Sequence, residues 1–179
     1  KSPSSNNVYN NTLYRIRNIG IDLLNPTTSH VTQNNITDVG AGISMKNAAS
    51  SDIKDNIITQ ASSYGIKVDS VGNINISINQ ISQCQTGIYV KNADLPGTAR
   101  VEYNTANYND YGIWFDKGNN PVVRYNTVRY NRLFGVRVQS TTGAVVKSNT
   151  INNNDDIGFE DQSNINLNAT ANTISVNAG

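Results

Sequence analysis

The chain repeats about every 23 residues, and this period limits its possible folds more than any other feature. Two independent registers show it. One is a series of glycines, each followed by an apolar residue: Gly20, Gly42, Gly65, Gly87, Gly112, Gly135 and Gly158. The other is a series of asparagines, each two residues before an aliphatic residue or alanine: Asn11, Asn34, Asn56, Asn79, Asn104, Asn126, Asn149 and Asn172. Both registers contain one longer step of 25 residues in the same repeat, which excludes a chance match in an asparagine-rich chain.

Each repeat carries three short apolar stretches that are separated by turns. The first lies just before the register asparagine, the second just after it, and the third follows the glycine. Within the stretches apolar and polar residues alternate, as Ile113 and Phe115 do on either side of Trp114. Alternation with a period of two is typical of β-strands. The chain also has 30 asparagines and only six leucines, a composition that argues against a helical domain.

A repeat of this length cannot bury its apolar side alone, but stacked coils bury a continuous column. We therefore predict an all-β fold, a single parallel β-helix domain over residues 1–179 with about eight coils of three short strands each. The longer step places a turn-like insertion at residues 92–98. Neither end has a visible lid, and Asp161 stands where an apolar residue is expected. We expect a fragment of a longer chain whose ends are capped by an adjoining domain or by further copies in a homo-oligomer.

The register asparagine is predicted to occupy the sharp turn of each coil. Asparagine tolerates a left-handed backbone, and its amide can bond to stacked copies of itself and to the backbone. A second asparagine column, five residues further on, exists only in the C-terminal half: Asn109, Asn131, Asn154 and Asn177. Earlier coils place Ile16, Val39, Ala61 and Cys84 at that position, so we interpret Cys84 as an interior residue and not as a nucleophile.

Charge and composition exclude several partners. Lys and Arg total 14 and Asp and Glu total 13, so the net charge of +1 argues against a nucleic-acid partner and against a polybasic membrane patch. No apolar run reaches the length of a membrane span. One cysteine excludes an internal disulfide, and one histidine, His30, excludes a histidine metal cluster.

The repeated Asn-x-Ile and Gly-Ile-x-Val units resemble those of the right-handed parallel β-helices of the pectin-lyase-like superfamily. The resemblance covers nearly the whole chain. It implies a right-handed coil and a polysaccharide groove on the outer face of the strand after each glycine, called here the glycine-strand face. It also implies an extracellular or surface-associated protein, such as a secreted enzyme or a phage tailspike. The combination of a paired Asp-Asp with Gly-His-Gly that polygalacturonases have and the Arg-x-Pro-x-x-Arg motif of pectate lyases are absent, so the resemblance carries neither specific activity over to this chain.

Strand alternation predicts which side chains the glycine-strand face exposes. Trp114 and Tyr89 lie on adjacent coils and offer flat apolar surfaces to sugar rings. Asp110, just before Gly112, is expected to overhang the same groove. Four cations on this face can pair with sugar carboxylates: Lys46, Lys67, Lys91 and Arg137. These residues predict a site for an extended acidic polysaccharide.

Carboxylates and bases on this face are candidates for catalysis. Asp69 and Asp116 stand two coils apart, roughly 9–10 Å, near the upper range for an inverting glycosidase pair. Asp116 and Glu160 are also two coils apart. A lyase would instead use a base beside a neutralised uronate, and Lys91 with Arg137 can serve.

A non-catalytic structural or adhesive solenoid is the alternative hypothesis. Lys46, Asp69, Lys91 and Asp116 alternate in charge on neighbouring strands, which is how an exposed sheet face is commonly stabilised. The adjacent column, which includes Lys67, Tyr89, Trp114, Arg137 and Glu160, has the composition of a cation–π and ion-pair stack.

Two further groups of residues remain open to two interpretations. Four acids near the C-terminus can bind calcium or form an acidic turn, and no cofactor is required: Asp155, Asp156, Glu160 and Asp161. Four tyrosines on outer turns form either a second sugar platform or turn packing: Tyr103, Tyr108, Tyr125 and Tyr130.

Overall fold

The computed structural model describes residues 5–94 and 97–178, and the described residues form strands and turns without any helix. No helix in this part of the chain could therefore cross a membrane. The strands of the first four coils are β1 Ser5–Tyr9, β2 Thr12–Leu24, β3 Thr28–Thr32, β4 Asn35–Lys46, β5 Ser50–Lys54, β6 Ile57–Ala61, β7 Tyr64–Asp69, β8 Asn73–Ser77, β9 Gln80–Ser82 and β10 Thr86–Ala93. The strands of the later coils are β11 Ala99–Glu102, β12 Thr105–Asn107, β13 Tyr111–Asn119, β14 Val122–Arg124, β15 Thr127–Arg129, β16 Phe134–Thr142, β17 Val145–Lys147, β18 Thr150–Asn152, β19 Ile157–Gln162, β20 Asn168–Thr170 and β21 Thr173–Ser175.

Strands at equivalent positions of successive coils pair in parallel, as the repeat predicts. The first strands form one eight-stranded sheet, β1-β3-β5-β8-β11-β14-β17-β20. The second and third strands form two faces that β4 joins, β4-β6-β9-β12-β15-β18-β21 and β4-β7-β10-β13-β16-β19, with β2 paired to β4. The fold is thus a right-handed parallel β-helix with seven complete coils and an eighth that ends in its second strand.

Two details differ from the predicted pattern of three separate strands. In the first two coils the second and third strands are continuous, because β2 and β4 pair with each other around the bend, with a register shift between Ile16 and Ile19. In the insertion at 92–98, Thr98 donates its backbone N–H to Asn73 Oδ1 at 2.9 Å, while Leu95 and Pro96 lie outside the described residues. The insertion leaves the register intact, since Ala99 still pairs with Ile74.

The core is a column of β-branched and aliphatic side chains that stack on their equivalents one coil away. On the second face, Ile58 pairs with Ile36 and Ile81, and all three are at most 1% exposed. Stacking like on like buries each apolar side chain without any capping element between coils. At the C-terminal end Asp161 pairs with Val138 and is exposed, as the sequence predicts for the position where the apolar column is interrupted.

The predicted asparagine ladder is confirmed. The Asn104 side chain donates from Nδ2 to Asn126 Oδ1 at 3.1 Å and to the Ile76 and Glu102 carbonyls at 2.8 and 3.0 Å. Its own Oδ1 accepts two hydrogen bonds from Asn79, one from the backbone N–H and one from Nδ2, each at 3.0 Å. The same exchange links every register asparagine from Asn11 to Asn172. Every buried amide in the ladder therefore has its polar atoms satisfied.

The second asparagine column forms a shorter ladder of the same kind. Asn109 Nδ2 donates to Asn131 Oδ1 at 3.2 Å, and Asn131 Nδ2 donates to Asn154 Oδ1 at 2.9 Å. One coil earlier the ladder begins on Cys84, whose backbone N–H donates to Asn109 Oδ1 at 3.0 Å. The short ladder therefore replaces apolar packing at this turn in the C-terminal half.

The expectation that the ladder asparagine itself adopts a left-handed backbone is wrong. The left-handed residue is the one directly before it, with φ of 57° at Ile78, Tyr103 and Tyr125. The asparagine is preferred at its position for its hydrogen bonds, since its side chain accepts from one coil and donates to the next. The residue with the positive φ differs in type from coil to coil. Its left-handed backbone has an intrinsic cost of about 1–2 kcal/mol per residue, and the hydrogen bonds of the asparagine that follows hold it in this conformation.

The glycine register is explained by close approach between coils. A Cβ built on Gly87 would lie 2.6 Å from the Gly112 carbonyl oxygen and 3.0 Å from Asn109 Nδ2. Real Cβ atoms do not approach a backbone oxygen so closely, so any side chain here would push two coils apart. The glycine column thus lets the bend before each glycine strand pack tightly on the next coil.

We expect Asn104→Ala to lower the free energy of unfolding by about 3 kcal/mol, because the buried Asn79 N–H and amide lose their acceptor. Denaturant melts of the purified variant measure the change. Asn119→Ala is the control, since Asn119 is exposed and lies outside the ladder. Equal stability of the two variants would contradict the structural role of the ladder.

We expect Gly87→Ala to cost about 1–3 kcal/mol through overpacking against the backbone of the next coil. Gly118→Ala is the matched control, because its Cβ would meet the Ala93 Cβ at 3.1 Å and the Ala93 carbonyl oxygen at 3.2 Å, which is less close than the 2.6 Å approach at Gly87. Thermal melts of both variants give the comparison. A smaller loss for Gly87→Ala than for Gly118→Ala would show that the glycine column has another cause.

Candidate functional site

Five aromatic rings form one continuous cluster on the glycine-strand face. Tyr64 stacks on Tyr89 with ring centroids 5.3 Å apart, and Tyr89 contacts Trp114 at 5.1 Å. Trp114 contacts Tyr111 at 5.6 Å, and Tyr111 stacks on Phe134 at 5.4 Å. The cluster spans the neighbouring strands β7, β10, β13 and β16, and it therefore runs parallel to the coil axis.

Three members of this aromatic cluster were missed by the sequence analysis. Tyr64, Tyr111 and Phe134 stand directly before a register glycine, at the start of the glycine strand. Their strands pair at this position through Thr86, which lies opposite both Tyr64 and Tyr111. The repeated bulky residue before glycine is the signal that could have identified them.

Burial within the cluster differs from the expectation that its aromatic faces are open to solvent. Tyr89 is only 8% exposed, because Tyr64 and Trp114 cover its ring, so the expectation of an open Tyr89 face is wrong. Trp114 is half-buried, and its indole N–H is buried with no hydrogen-bond partner within the described residues. A ring that packs on other rings in this way is rigid, and only its outer part can meet a ligand.

Cations lie over both ends of the cluster, as the cation–π interpretation predicts. Lys67 Nζ lies 4.9 Å from the centroid of Tyr64. The Arg137 guanidinium lies 4.9 Å from Trp114 and 5.0 Å from Phe134, and its Nε is 3.1 Å from Glu160 Oε2. Arg137 and Glu160 thus hold each other against the aromatic rings.

The alternating lysines and aspartates align across the strands but do not form close ion pairs. Lys46 is opposite Asp69, Asp69 is opposite Lys91, and Lys91 is opposite Asp116. None of the ion pairs found among residues 5–94 and 97–178 joins these lysines to these aspartates. The strands therefore align the residues of the predicted charge ladder. The lysine ammonium groups, however, lie farther from the aspartate carboxylates than an ion pair allows.

Asp69 is held in its charged form. Partial burial by itself raises the pKa of this carboxyl, but hydrogen bonds from Asn92 at 2.9 Å and Ser70 at 3.0 Å, with Lys46 and Lys91 nearby, outweigh it. The net effect keeps the pKa of Asp69 below its ordinary value. An ionised carboxylate of this kind can accept a proton but is a poor proton donor at neutral pH.

Asp116 has a different partner on the same face. The Tyr89 hydroxyl donates to Asp116 Oδ2 at 3.1 Å. Burial and the neighbouring Asp116 carboxylate raise the pKa of Tyr89, so its phenol stays protonated and keeps donating. The aromatic cluster and the carboxylate are thereby joined into one network.

Asp110 stands directly before Tyr111 of the aromatic cluster. It lies in the turn before β13, where Arg132 Nε is 2.8 Å from Asp110 Oδ1, and it lines a depression on that turn. Asp110 stands at the opposite end of the glycine strand from Asp116, and its position over the groove stays a prediction. Its ion pair also draws its side chain toward the adjacent coil.

A shallow depression adjoins the N-terminal end of the aromatic cluster. It has a volume of about 340 Å³ and is lined by Ser44, Ser63, Tyr64 and Lys67 among others. The Ser63 hydroxyl donates to the Gly40 carbonyl at 2.7 Å, so the donors that the depression offers to a ligand are the Ser44 hydroxyl and the Lys67 ammonium. The glycine-strand face therefore combines aromatic surface, cations and a polar hollow along one line.

The acids near the C-terminus do not come together as a group. Glu160 pairs with Arg137, and Asp161 accepts a hydrogen bond from Asn164. Within the described ranges, no three His, Cys, Asp or Glu side chains converge in a way that could hold a metal ion. The four turn tyrosines form two exposed stacks, Tyr103 on Tyr125 and Tyr108 on Tyr130, with centroids 4.9 and 5.0 Å apart.

The chain belongs to the family described as the right-handed beta helix region, whose model matches residues 2–141 and, in a second register, residues 41–179. Among solved structures it is similar to a periplasmic alginate epimerase, AlgG, determined as a double mutant. The two share 17% identity and a TM-score of 0.57, over 75% of this chain and 35% of that one. The chain thus spans about a third of the length of that enzyme, and the likeness concerns the fold. No curated protein matches the sequence.

We expect Cys84 to be unreactive in the folded protein. Burial raises the pKa of its thiol from 9.0 to about 11, and the reactive species is the thiolate. Because the folded pKa lies above the unfolded one, the stability that the thiol contributes is full below about pH 9 and is lost as the pH rises through about 11.

Labelling with a thiol reagent at pH 8 measures this, with the denatured protein as the fast reference. Rapid labelling of the native protein would contradict the interior placement of Cys84.

Proposed function

We propose that the glycine-strand face binds an extended, acidic polysaccharide that lies along the coils. The observation that carries the proposal is the aromatic cluster of Tyr64, Tyr89, Trp114, Tyr111 and Phe134, which runs parallel to the coil axis and is flanked by cations. A linear polymer along this face meets aromatic rings on the glycine strands of four successive coils, β7, β10, β13 and β16. The similarity in fold to a protein named as a periplasmic alginate epimerase supports a polysaccharide as the ligand.

Apolar contact with the sugar rings comes from the outer part of Trp114 and its neighbours. The rings are fixed by one another and by Arg137, so little conformational entropy is lost when a ligand binds. The indole N–H of Trp114 is buried, so contact with a sugar comes from the exposed edge of the ring and not from this donor. Rigid, half-buried aromatic side chains with one polar atom are well suited to this kind of binding.

Charge recognition is assigned to the lysines. Arg137 is engaged with Glu160, whereas Lys46, Lys67 and Lys91 make no ion pair within the described residues. Their ammonium groups can therefore pair with sugar carboxylates along the polymer. Arg137 acts mainly by holding Trp114 in place.

Cleavage of the bound polymer, by hydrolysis or by elimination, is a further part of this proposal. Of the catalytic candidates, Glu160 and Arg137 neutralise each other, which leaves Asp69, Asp116 and Lys91. The lowered pKa of Asp69 makes it a weak base and suits a group that stays ionised and binds cations, whereas Asp116 is positioned by Tyr89. Asp116 is therefore the carboxylate whose replacement is most informative.

The alternative is a non-catalytic structural or adhesive solenoid. The tight packing of Tyr89 and the mutual pairing of Arg137 and Glu160 favour it, because both stabilise the sheet face without a ligand. In either case we propose an extracellular or cell-surface location, where polysaccharides are met. Ligand binding separates the two hypotheses.

We expect acidic oligosaccharides to shift the fluorescence of Trp114, which is the only tryptophan in the chain. Lys67→Ala should weaken binding about fivefold, the equivalent of about 1 kcal/mol, and added salt should weaken it further. Lys54→Ala is the matched control, since Lys54 is an exposed lysine on the eight-stranded sheet. Unchanged emission with a broad panel of acidic glycans would favour the structural solenoid.

Asp116→Asn tests cleavage separately from binding. The amide has nearly the shape of the carboxylate but cannot take part in proton transfer, so binding should persist while product formation stops. Reducing-end assays detect hydrolysis, and ultraviolet absorbance of an unsaturated sugar detects elimination. Binding without product from the wild-type protein would leave recognition in place and remove the enzymatic part.

A further inference from the structure

A long groove runs along the turns that join the second strand of each coil to the glycine strand. Three open depressions of about 700, 580 and 490 Å³ follow one another there. The first two share Ala61, Ser62 and Gln83, and the last two share Tyr130 and Asp155. They form one continuous groove along the rod, and its lining contains none of the five rings of the aromatic cluster.

The backbone of this groove is already hydrogen-bonded between coils. The N–H groups of Asp110, Arg132 and Asp155 donate to carbonyls of the preceding coil at 3.1, 2.8 and 2.9 Å. An extended peptide that binds by strand addition needs free backbone groups at a sheet edge, and these turns do not offer them. A ligand must therefore bind through side chains.

The charges along the groove are largely balanced. Arg15 Nε is 3.7 Å from Asp38 Oδ2, and Arg132 Nε is 2.8 Å from Asp110 Oδ1. Of the lining residues outside these pairs, Arg17 is positive and Asp155 is negative. Among the described residues, the groove therefore lacks the unpaired lysines that distinguish the glycine-strand face.

The remaining polar side chains are suited to hydroxyl groups. Gln60 and Gln83 line the first depression and Gln85 lines the second, and each amide offers both donors and acceptors. Tyr108 and Tyr130 stack at 5.0 Å, and they are 59% and 44% exposed. Amides, paired guanidinium and carboxylate groups, and tyrosine rings together provide hydrogen bonds and apolar contact without net charge.

We infer that this turn groove is a second binding site, which takes an extended neutral glycan. It is distinct from the proposed acidic-polysaccharide site in its residues, its charge and its position on the coil. The two sites run parallel along the rod, so one protein can hold two different polymer strands side by side.

The test measures binding of neutral oligosaccharides, the cello- and manno-oligosaccharide series, by titration calorimetry with the full chain. Tyr130→Ala should weaken binding about tenfold, as expected for the loss of a central contact. Tyr125→Ala is the matched control, since both residues are stacked tyrosines with left-handed backbone, φ 57° and 56°, and exposures of 41% and 44%. Tyr125→Ala should leave the affinity unchanged, and thermal melts establish that both variants fold.

Competition with oligogalacturonate, an acidic probe, identifies the site. The neutral ligand should bind equally well when the acidic probe is present, and Tyr130→Ala should not change binding of the acidic probe. Absence of binding by both neutral series, an equal loss in the two tyrosine variants, or displacement by the acidic probe would each overturn the inference. Failure of the acidic probe to bind, with neutral binding retained, would refute the proposed function and leave this site standing.

Discussion

Each buried turn amide of this protein is bound by the equivalent amide one coil away, and the architecture depends on that exchange. Asn104 is 1% exposed in a turn where water cannot satisfy its polar atoms. An unpaired amide there would cost several kcal/mol, so each coil needs its neighbour in register. The ladder therefore fixes the register of the strands on both sides, and this register sets which residues become neighbours on every face.

The register also builds the candidate site. Tyr89 pairs with Lys67 on one side and with Trp114 on the other because their coils are aligned by the ladder and by the glycine column. Neighbours in space are thus residues 22–25 positions apart in the chain. The aromatic cluster, the cations over it and the hydrogen bond from Tyr89 to Asp116 are consequences of one repeated distance. A face assembled in this way is rigid before any ligand arrives, which favours binding of an equally regular polymer.

The coil and the ladder could be predicted from the sequence because both depend on periodicity alone. Asn104 and Cys84 lie where the period places them, in the ladder and in the interior. The burial of Tyr89 could not be predicted in this way, because alternation gives the side of the sheet a residue occupies and not how far its neighbours cover it. The left-handed backbone at Ile78 was also missed, since residue preference argues against it there and the constraint comes from the following asparagine. The ion pair of Asp110 with Arg132 could not be predicted for a related reason, because turn residues have no alternation to orient them.

The direct bonds between ladder amides join residues separated by 22, 23 or 25 positions, and never by the length of the whole chain. The entropy lost in closing each coil is therefore almost the same from the first to the last, since it depends only on loop length. No coil has to wait for distant segments of the chain to meet. Folding can start at any well-formed pair of coils and extend in both directions. Each new coil then forms by pairing its strands with the exposed strand edges of the coil before it.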